Sequence, residues 1–317
     1  MFDSPRGIGG LMAAYSAEAC DELINRRLVH DAPLDEATRD FLSEYPRASA
    51  TGLLIASKQI YDLVHGGEAI KSPERTEASR LGSMVMLYAD LVDEQADLPG
   101  VPTDQKVGLF GAAVDALIEG EAATYTPRTA AEAIVLGMGA QLHERYISFD
   151  SAGLFRELFH KLGADARQQV VSQDLREQLE LSVEIGKGCA GIYACSSELI
   201  DGRPVEEYAP ALAGYGALAE CLDNAYEITQ DLREGSNTYA TLWIRQHGDS
   251  RDNHRQARST LAQRGMREYN NGRGVLNPKQ AGLYSLMGRI VSARYKVTRG
   301  IRGSIGPKVL LAPAYEA

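Results

Sequence analysis

The sequence predicts an all-α, single-domain antiparallel helix bundle over residues 1–317. Three observations predict it. Apolar residues recur at spacings of three and four in most segments, which is the helical period. No stretch carries a clear strand pattern. Clusters of Gly, Pro, Asp and Asn interrupt the helical pattern often enough for about ten helices joined by short loops. A chain of 317 residues with 44% hydrophobic and 24% charged residues buries a sizeable core and is too apolar and too mixed to remain disordered.

The helical period is present around Cys20 to Leu28 and again in "TGLLIASKQIYDLV", "LGSMVMLY" and "VGLFGAAVDALIEG". Breaks between helices are expected at "HGGEAIKSPER", "LPGVPTD", "YTPRT", "SFDSAG", "DGRPVEEYAP" and "NNGRGVLNPKQ", where turn-forming residues concentrate. In "PTDQK", Thr103 or Asp104 is placed to cap a helix starting near Gln105. No internal repeat or low-complexity linker divides the chain, so the helices are expected to close into one bundle.

The formal net charge is −10, which argues against nucleic acid as a partner, because such binding needs a basic face to displace phosphate counterions. The charge is uneven. Between Glu268 and Glu316 the chain has no acid but carries Arg273, Lys279, Arg289, Arg294, Lys296, Arg299, Arg302 and Lys308, so this end is expected to attract anions. Cys20, Cys189, Cys195 and Cys221 form no C-x-x-C pair, which favours a reducing compartment and buried free thiols. With no leader pattern and no run of about 18 apolar residues, a cytoplasmic location without a transmembrane segment is expected.

Two acidic segments carry the chemical signal. In "DLVDEQAD", Asp90, Asp93 and Asp97 stand at i, i+3 and i+7, with Glu94 beside them, so on a helix three carboxylates share one face. Alone, this row reads equally well as a solvated helix end before Pro99 and Gly100. In "DNAYEITQD", Asp223, Glu227 and Asp231 stand at i, i+4 and i+8, with Glu234 further on. Leu222, Tyr226 and Ile228 border this second row, so it lies against a core and calls for a counter-charge. Two carboxylate rows with no accompanying His or Cys favour a hard divalent cation, Mg²⁺ above all when a substrate phosphate supplies further oxygens. The one Glu-x-x-His, Glu157 to His160, lacks the second copy that a di-metal bundle requires, and His160 is read as structural.

On these motifs the chain resembles the class I isoprenoid (terpenoid) synthases. "DLVDEQAD" is similar to the first Asp-rich motif of the squalene and phytoene synthases and to the D-x-x-D-x-x-x-D form of the large bacterial terpene synthases. "DNAYEITQD" is similar to the second motif, with Glu227 in place of the middle Asp, and "LREGSNTY" to the loop that follows it. "EIGKGCAGIYAC", between the two, resembles the Gly-interrupted helix of the superfamily, and "YPRASATGLL" the Ser-Arg stretch that contacts diphosphate. The Asp-Asp pairs of the short-chain prenyl diphosphate synthases and the Asn-Asp-x-x-Ser-x-x-x-Glu motif of ordinary cyclases are absent.

The resemblance implies helices around a central cavity, a prenyl diphosphate substrate and Mg²⁺ held by Asp90, Asp93, Glu94, Asp97, Asp223, Glu227 and Asp231. It gives Arg47 a diphosphate contact and makes Arg233, Lys187, Arg294 and Tyr295, with Lys296, candidates for handling the leaving group. The implied reaction is terpene synthesis by ionisation and cyclisation or rearrangement, with head-to-head joining of two prenyl chains as the alternative. Contact with a membrane surface and homodimerisation stay open. Tyr88, Tyr193, Tyr215, Tyr226 and Trp243 are candidates to face a cation, although for each one singly core packing is the stronger reading. Gly186, Gly188 and Gly191 mark either a break or a close helix approach. A non-catalytic helical protein with solvated acidic ends is the reading from a different class, and it requires no meeting of the two rows.

Overall fold

The computed structural model describes residues 35–36, 38–39, 47–66, 72–98, 100–122, 124–147, 153–202 and 205–303, the side chains of 47–52, 207, 290 and 292–303 excepted. Among the described residues there are eleven α-helices and no strand. They are α1 (Arg47–Val64), α2 (Pro73–Ala96), α3 (Thr103–Ile118), α4 (Ala130–Leu142), α5 (Gly153–Val171), α6 (Leu175–Asp201), α7 (Ala209–Tyr226), α8 (Ile228–Glu234), α9 (Tyr239–His247), α10 (Arg251–Gly272) and α11 (Pro278–Gly303). The all-α bundle is therefore as expected, and each expected break separates two helices. The helix expected around Cys20 to Leu28 lies outside the described residues.

The caps explain why these segments begin where they do. Ser72 accepts from the backbone N–H of Arg75 with Pro73 in the first turn of α2, Thr129 from Glu132 at α4, and Asp174 from Glu177 at α6. Each satisfies one orphan donor of a first turn. The cap expected at Thr103 or Asp104 is a correction: α3 starts at Thr103 itself, after Pro102, with no side-chain cap.

α1 and α2 run antiparallel, fixed by a buried ion pair in which Arg75 donates from Nε and a terminal nitrogen to Asp62 at 2.8 and 2.9 Å. Further along, a Cβ placed on Gly82 would lie 2.8 Å from Ser57 Oγ, so this glycine lets the two helices close. α2 then contacts α3, α4 and α6, while α7 packs between α6 and α10.

The glycines of α6 have a packing reason. A Cβ on Gly186 would meet the carbonyl of Gly216 on α7, and one on Gly216 would meet the carbonyl of Gly186. The two backbones touch directly, and α6 runs unbroken through Gly186, Gly188 and Gly191. The far side of α7 is pinned by Tyr269 and Tyr284, stacked at 4.3 Å, each hydroxyl donating to the other's carbonyl. These contacts set α2, α6 and α7 around one cavity of about 1370 Å³, which α3, α5 and α8 also line.

Candidate functional site

The first acidic row grows from the two-sided pattern of α2. Leu87, Tyr88, Leu91, Val92 and Ala96 are buried in the core, while Asp90, Asp93, Glu94 and Asp97 line the cavity. The helix stops at Ala96. Asp97 is its C-cap, its N–H donating to the carbonyl of Asp93 at 2.8 Å, and Gly100 turns the chain with φ +83°, a region that suits glycine.

The second row departs from expectation. α7 ends at Tyr226, and Glu227 leaves the helix with φ −93° and ψ 5° before α8 begins at Ile228. Asp223, Glu227 and Asp231 are therefore spread over a bend rather than along one straight helix. All three line the cavity nonetheless, because the Glu227 carbonyl accepts from both Gln230 and Asp231 N–H and keeps the turn tight.

The two rows meet electrostatically. Burial among protein atoms, then the charges of Asp97, Asp90 and Asp223, push the Asp93 carboxyl well above the usual carboxylate range, with Lys106 pulling the other way. Asp93 is ringed by protein atoms, yet its side chain is exposed on the cavity, so cavity water softens this shift without reversing it. Asp231 rises to about 8, by burial first and then by Glu227, Asp223, Asp93 and Asp97. Glu220, one turn before Asp223 on α7, also rises to about 8 through burial and the Asp223 charge. At the rim, burial and Glu234 raise Glu94. Residues more than 120 positions apart in sequence thus hold each other's protons.

A polar latch closes the mouth. Lys106 Nζ lies 2.8 Å from Asp97 Oδ1, and Ser236, in the loop after α8, donates to Asp97 Oδ2. Thr238 donates to Asp231 at 3.3 Å, and the Asn237 amide donates to the carbonyls of Gln169, Val170 and Ser172 at the end of α5. Arg245 lines the same mouth, donating to the Ser236 carbonyl at 3.0 Å and to Asn237 Oδ1 at 3.3 Å.

Two of the basic residues anticipated from sequence, Lys187 and Arg233, are not part of the cavity lining. Lys187 does not line the cavity; it pairs with Glu184 at 2.8 Å and faces Glu268 at 3.8 Å. Arg233, in the last turn of α8, is exposed and is likewise not part of the lining, although Asp231 and Glu234 on the same helix are. Arg47 opens α1, and Arg294, Tyr295 and Lys296 lie in α11, but their side chains fall outside the described residues. Lys106 and Arg245 take the cationic places that sequence reasoning assigned to Lys187 and Arg233. Glu220 was missed in the sequence, although its place one turn before Asp223 could have pointed to it; nothing local pointed to Lys106, Ser236 or Arg245.

Of the aromatic candidates, Tyr88 and Tyr215 line the cavity with Phe110 and Phe159, while Tyr193, Tyr226 and Trp243 do not. Tyr88 is fully buried and donates to the Ala113 carbonyl at 2.9 Å. Gly139 makes room for it, since a Cβ there would lie 2.7 Å from Tyr88 Cζ.

Among the described residues, no three His, Cys, Asp or Glu side chains converge tightly enough to form a ready cage for a metal. The donor chemistry still fits one class of ion. The cluster offers carboxylate oxygens whose burial first, and then whose mutual charge, raises Glu220 and Asp231 to about 8, and a hard divalent cation would offset that charge. Comparison with family models, with curated proteins and with solved structures finds no match for this chain, so the family resemblance rests on the two motifs and on where the fold puts them.

Proposed function

We propose that this chain is a Mg²⁺-dependent enzyme of the class I isoprenoid synthase type that ionises a prenyl diphosphate and cyclises or rearranges the resulting cation. The observation that carries this reading is that both acidic rows, Asp90, Asp93 and Asp97 on one side and Asp223, Glu227 and Asp231 on the other, line one cavity whose deeper wall is apolar and aromatic. Solvated helix ends would not need to meet.

Asp90, Asp93, Glu227 and Asp231 are the side chains that would hold Mg²⁺, with Asp223 between the rows and Glu94 at the rim. Mg²⁺ is commonly held by one or two carboxylates, waters and substrate phosphate oxygens, so an open cluster suits it better than a closed cage. When bound, it supplies positive charge to the departing diphosphate. Lys106 and Arg245 bring fixed cations to the same mouth, where charge develops as the carbon–oxygen bond breaks. Deeper in, Tyr88, Tyr215 and Phe159 present aromatic faces and exclude water from the cationic chain.

The volume of about 1370 Å³ exceeds the ~300–1,000 Å³ of common small-ligand pockets. Head-to-head joining of two prenyl chains is therefore the second reading. The test is incubation of the purified protein with prenyl diphosphates of increasing length, with Mg²⁺ or with EDTA, scoring diphosphate release and products. Metal-dependent release that is lost in folded Asp90→Ala and Asp231→Ala variants is expected, and the product distinguishes cyclisation from condensation. A folded protein that releases no diphosphate from any of them overturns the proposal.

A further inference from the structure

The acidic mouth does not account for the other end of the cavity. Gln59, on α1, lines it, is 0% exposed, and has no hydrogen-bond partner among the described residues for either Oε1 or Nε2. Such an unmet pair of amide atoms is rare in a folded interior, because leaving them unpaired costs most of what their hydration was worth. Its depth follows from the pairing of the first two helices. Asp62 is level with Arg75 and Ser57 with Gly82, so Gln59 is level with about residue 79. At about 1.5 Å per residue, Asp90 lies roughly 16 Å further along α2.

Between these levels the wall carries Ile55, Met86, Tyr88 and Tyr215. A purely hydrocarbon ligand filling this space would displace water and leave the Gln59 amide stranded. A water retained there needs two to four polar partners, and besides Gln59 this stretch offers only the two tyrosine hydroxyls, one of them already donating to the Ala113 carbonyl. The terminal torsion of glutamine is soft, so the amide turns toward an occupant at small cost.

We infer that the occupant of this cavity carries a hydrogen-bonding oxygen, a hydroxyl or carbonyl, at the end remote from the acidic mouth, and that Gln59 is the residue that selects for it. Combined with the proposed function, on which this extension rests, the substrate class is a prenyl diphosphate oxygenated at its far end. The selection by Gln59 itself needs no diphosphate.

The test therefore uses a neutral pair first: a prenyl hydrocarbon and its terminal alcohol, competing against an environment-sensitive fluorescent fatty probe on wild-type protein, Gln59→Leu, Gln59→Met and Ser79→Ala. Ser79, at the same level of α2, also has an unpartnered hydroxyl but does not line the cavity, which makes it the control. Wild type and Ser79→Ala are expected to prefer the alcohol by about tenfold, the worth of one otherwise stranded amide, and Gln59→Leu and Gln59→Met to lose the preference. Because both Gln59 variants remove unmet polar atoms from the interior, their melting temperatures are expected to match or exceed wild type. No preference in wild type, or one that persists in folded Gln59 variants or vanishes in Ser79→Ala, overturns the inference. A second pair of non-hydrolysable prenyl thiodiphosphates, with and without a terminal hydroxyl, separates the two readings. If the diphosphate adds no affinity but the alcohol preference depends on Gln59, the proposed function fails and the Gln59 assignment stands.

Discussion

Ser236 donates a hydrogen bond to the carboxylate of Asp97 across 139 residues of sequence, tying the loop after the second acidic segment to the end of the first. Lys106 holds the other Asp97 oxygen at 2.8 Å. With both oxygens engaged, Asp97 serves first as a clasp between the two rows, which leaves the proposed Mg²⁺ to the acids behind it. Ser236→Ala removes a hydrogen bond to a charged, partly buried group and is expected to lower stability by about 1–3 kcal/mol, read by urea denaturation. The catalytic rate of the folded variant should change far less than that of Asp90→Ala. An unchanged denaturation midpoint would dissolve the clasp.

Stability should depend on pH in a direction opposite to that of most proteins. Glu220 and Asp231 rise from 4.5 and 3.8 to about 8 on folding, and Asp93 moves the same way. Between the ordinary carboxylate range and about 8, the folded state keeps protons that the unfolded chain releases. Their contribution is fully present below the unfolded values and is lost as pH rises through about 8. The metal-free protein is therefore expected to melt at progressively lower temperature across that window, and Asp231→Asn to flatten the decline. Mg²⁺ competes with these protons, so the rise in melting temperature it gives should grow with pH over the same interval. A metal-free melting temperature that climbs from pH 5 to 8 would contradict the buried cluster.

How much of this was legible in the sequence depends on how local the cause is. Breaks at "LPGVPTD" and "DGRPVEEYAP" were legible because Gly and Pro act on their own backbone. The acidic face of α2 was legible because Asp90 and Asp93 sit opposite Leu91 and Val92 in a plain helical alternation. The bend at Glu227 was not, since neither Gly nor Pro marks it. Arg233 was chosen for standing beside the motif, yet Gly235 turns the chain so that Arg245, on the next helix, comes back to the mouth. Lys106 pairs with Asp97 through the α2–α3 turn, a contact set by tertiary geometry alone.

The α6–α7 contact is expected to be the least tolerant point of the scaffold. Any side chain at Gly186 or Gly216 meets backbone carbonyl, which cannot step aside as a flexible side chain does. Gly186→Ala and Gly216→Ala should each cost at least about 3 kcal/mol or prevent folding, the upper range for forcing atoms into a packed interior. Gly191→Ala meets only Leu158 Cδ1 at 3.0 Å and should cost under about 1.5 kcal/mol. Equal losses at all three positions, measured by chemical denaturation, would mean that helix flexibility and not backbone contact explains these glycines.

Arg245 and Lys187 offer the sharpest contrast for function, because sequence and structure rank them in opposite order. Lys187 is held by Glu184 and Glu268 away from the cavity, so Lys187→Ala should leave kcat/KM on a prenyl diphosphate within about twofold of wild type, the scatter expected of a surface change. Arg245 reaches the mouth from α9, its guanidinium bonded, among the described residues, to neutral groups of the loop, the Ser236 carbonyl and Asn237, and so is available to an anion. Arg245→Ala would remove a charge-assisted contact worth about 1.5–3 kcal/mol, a loss of roughly tenfold to a hundredfold in kcat/KM. The loss should be carried by diphosphate-bearing ligands, with neutral prenyl alcohols binding Arg245→Ala as tightly as wild type. A defect in Lys187→Ala without one in Arg245→Ala would place the diphosphate on the far side of α6, outside this cavity.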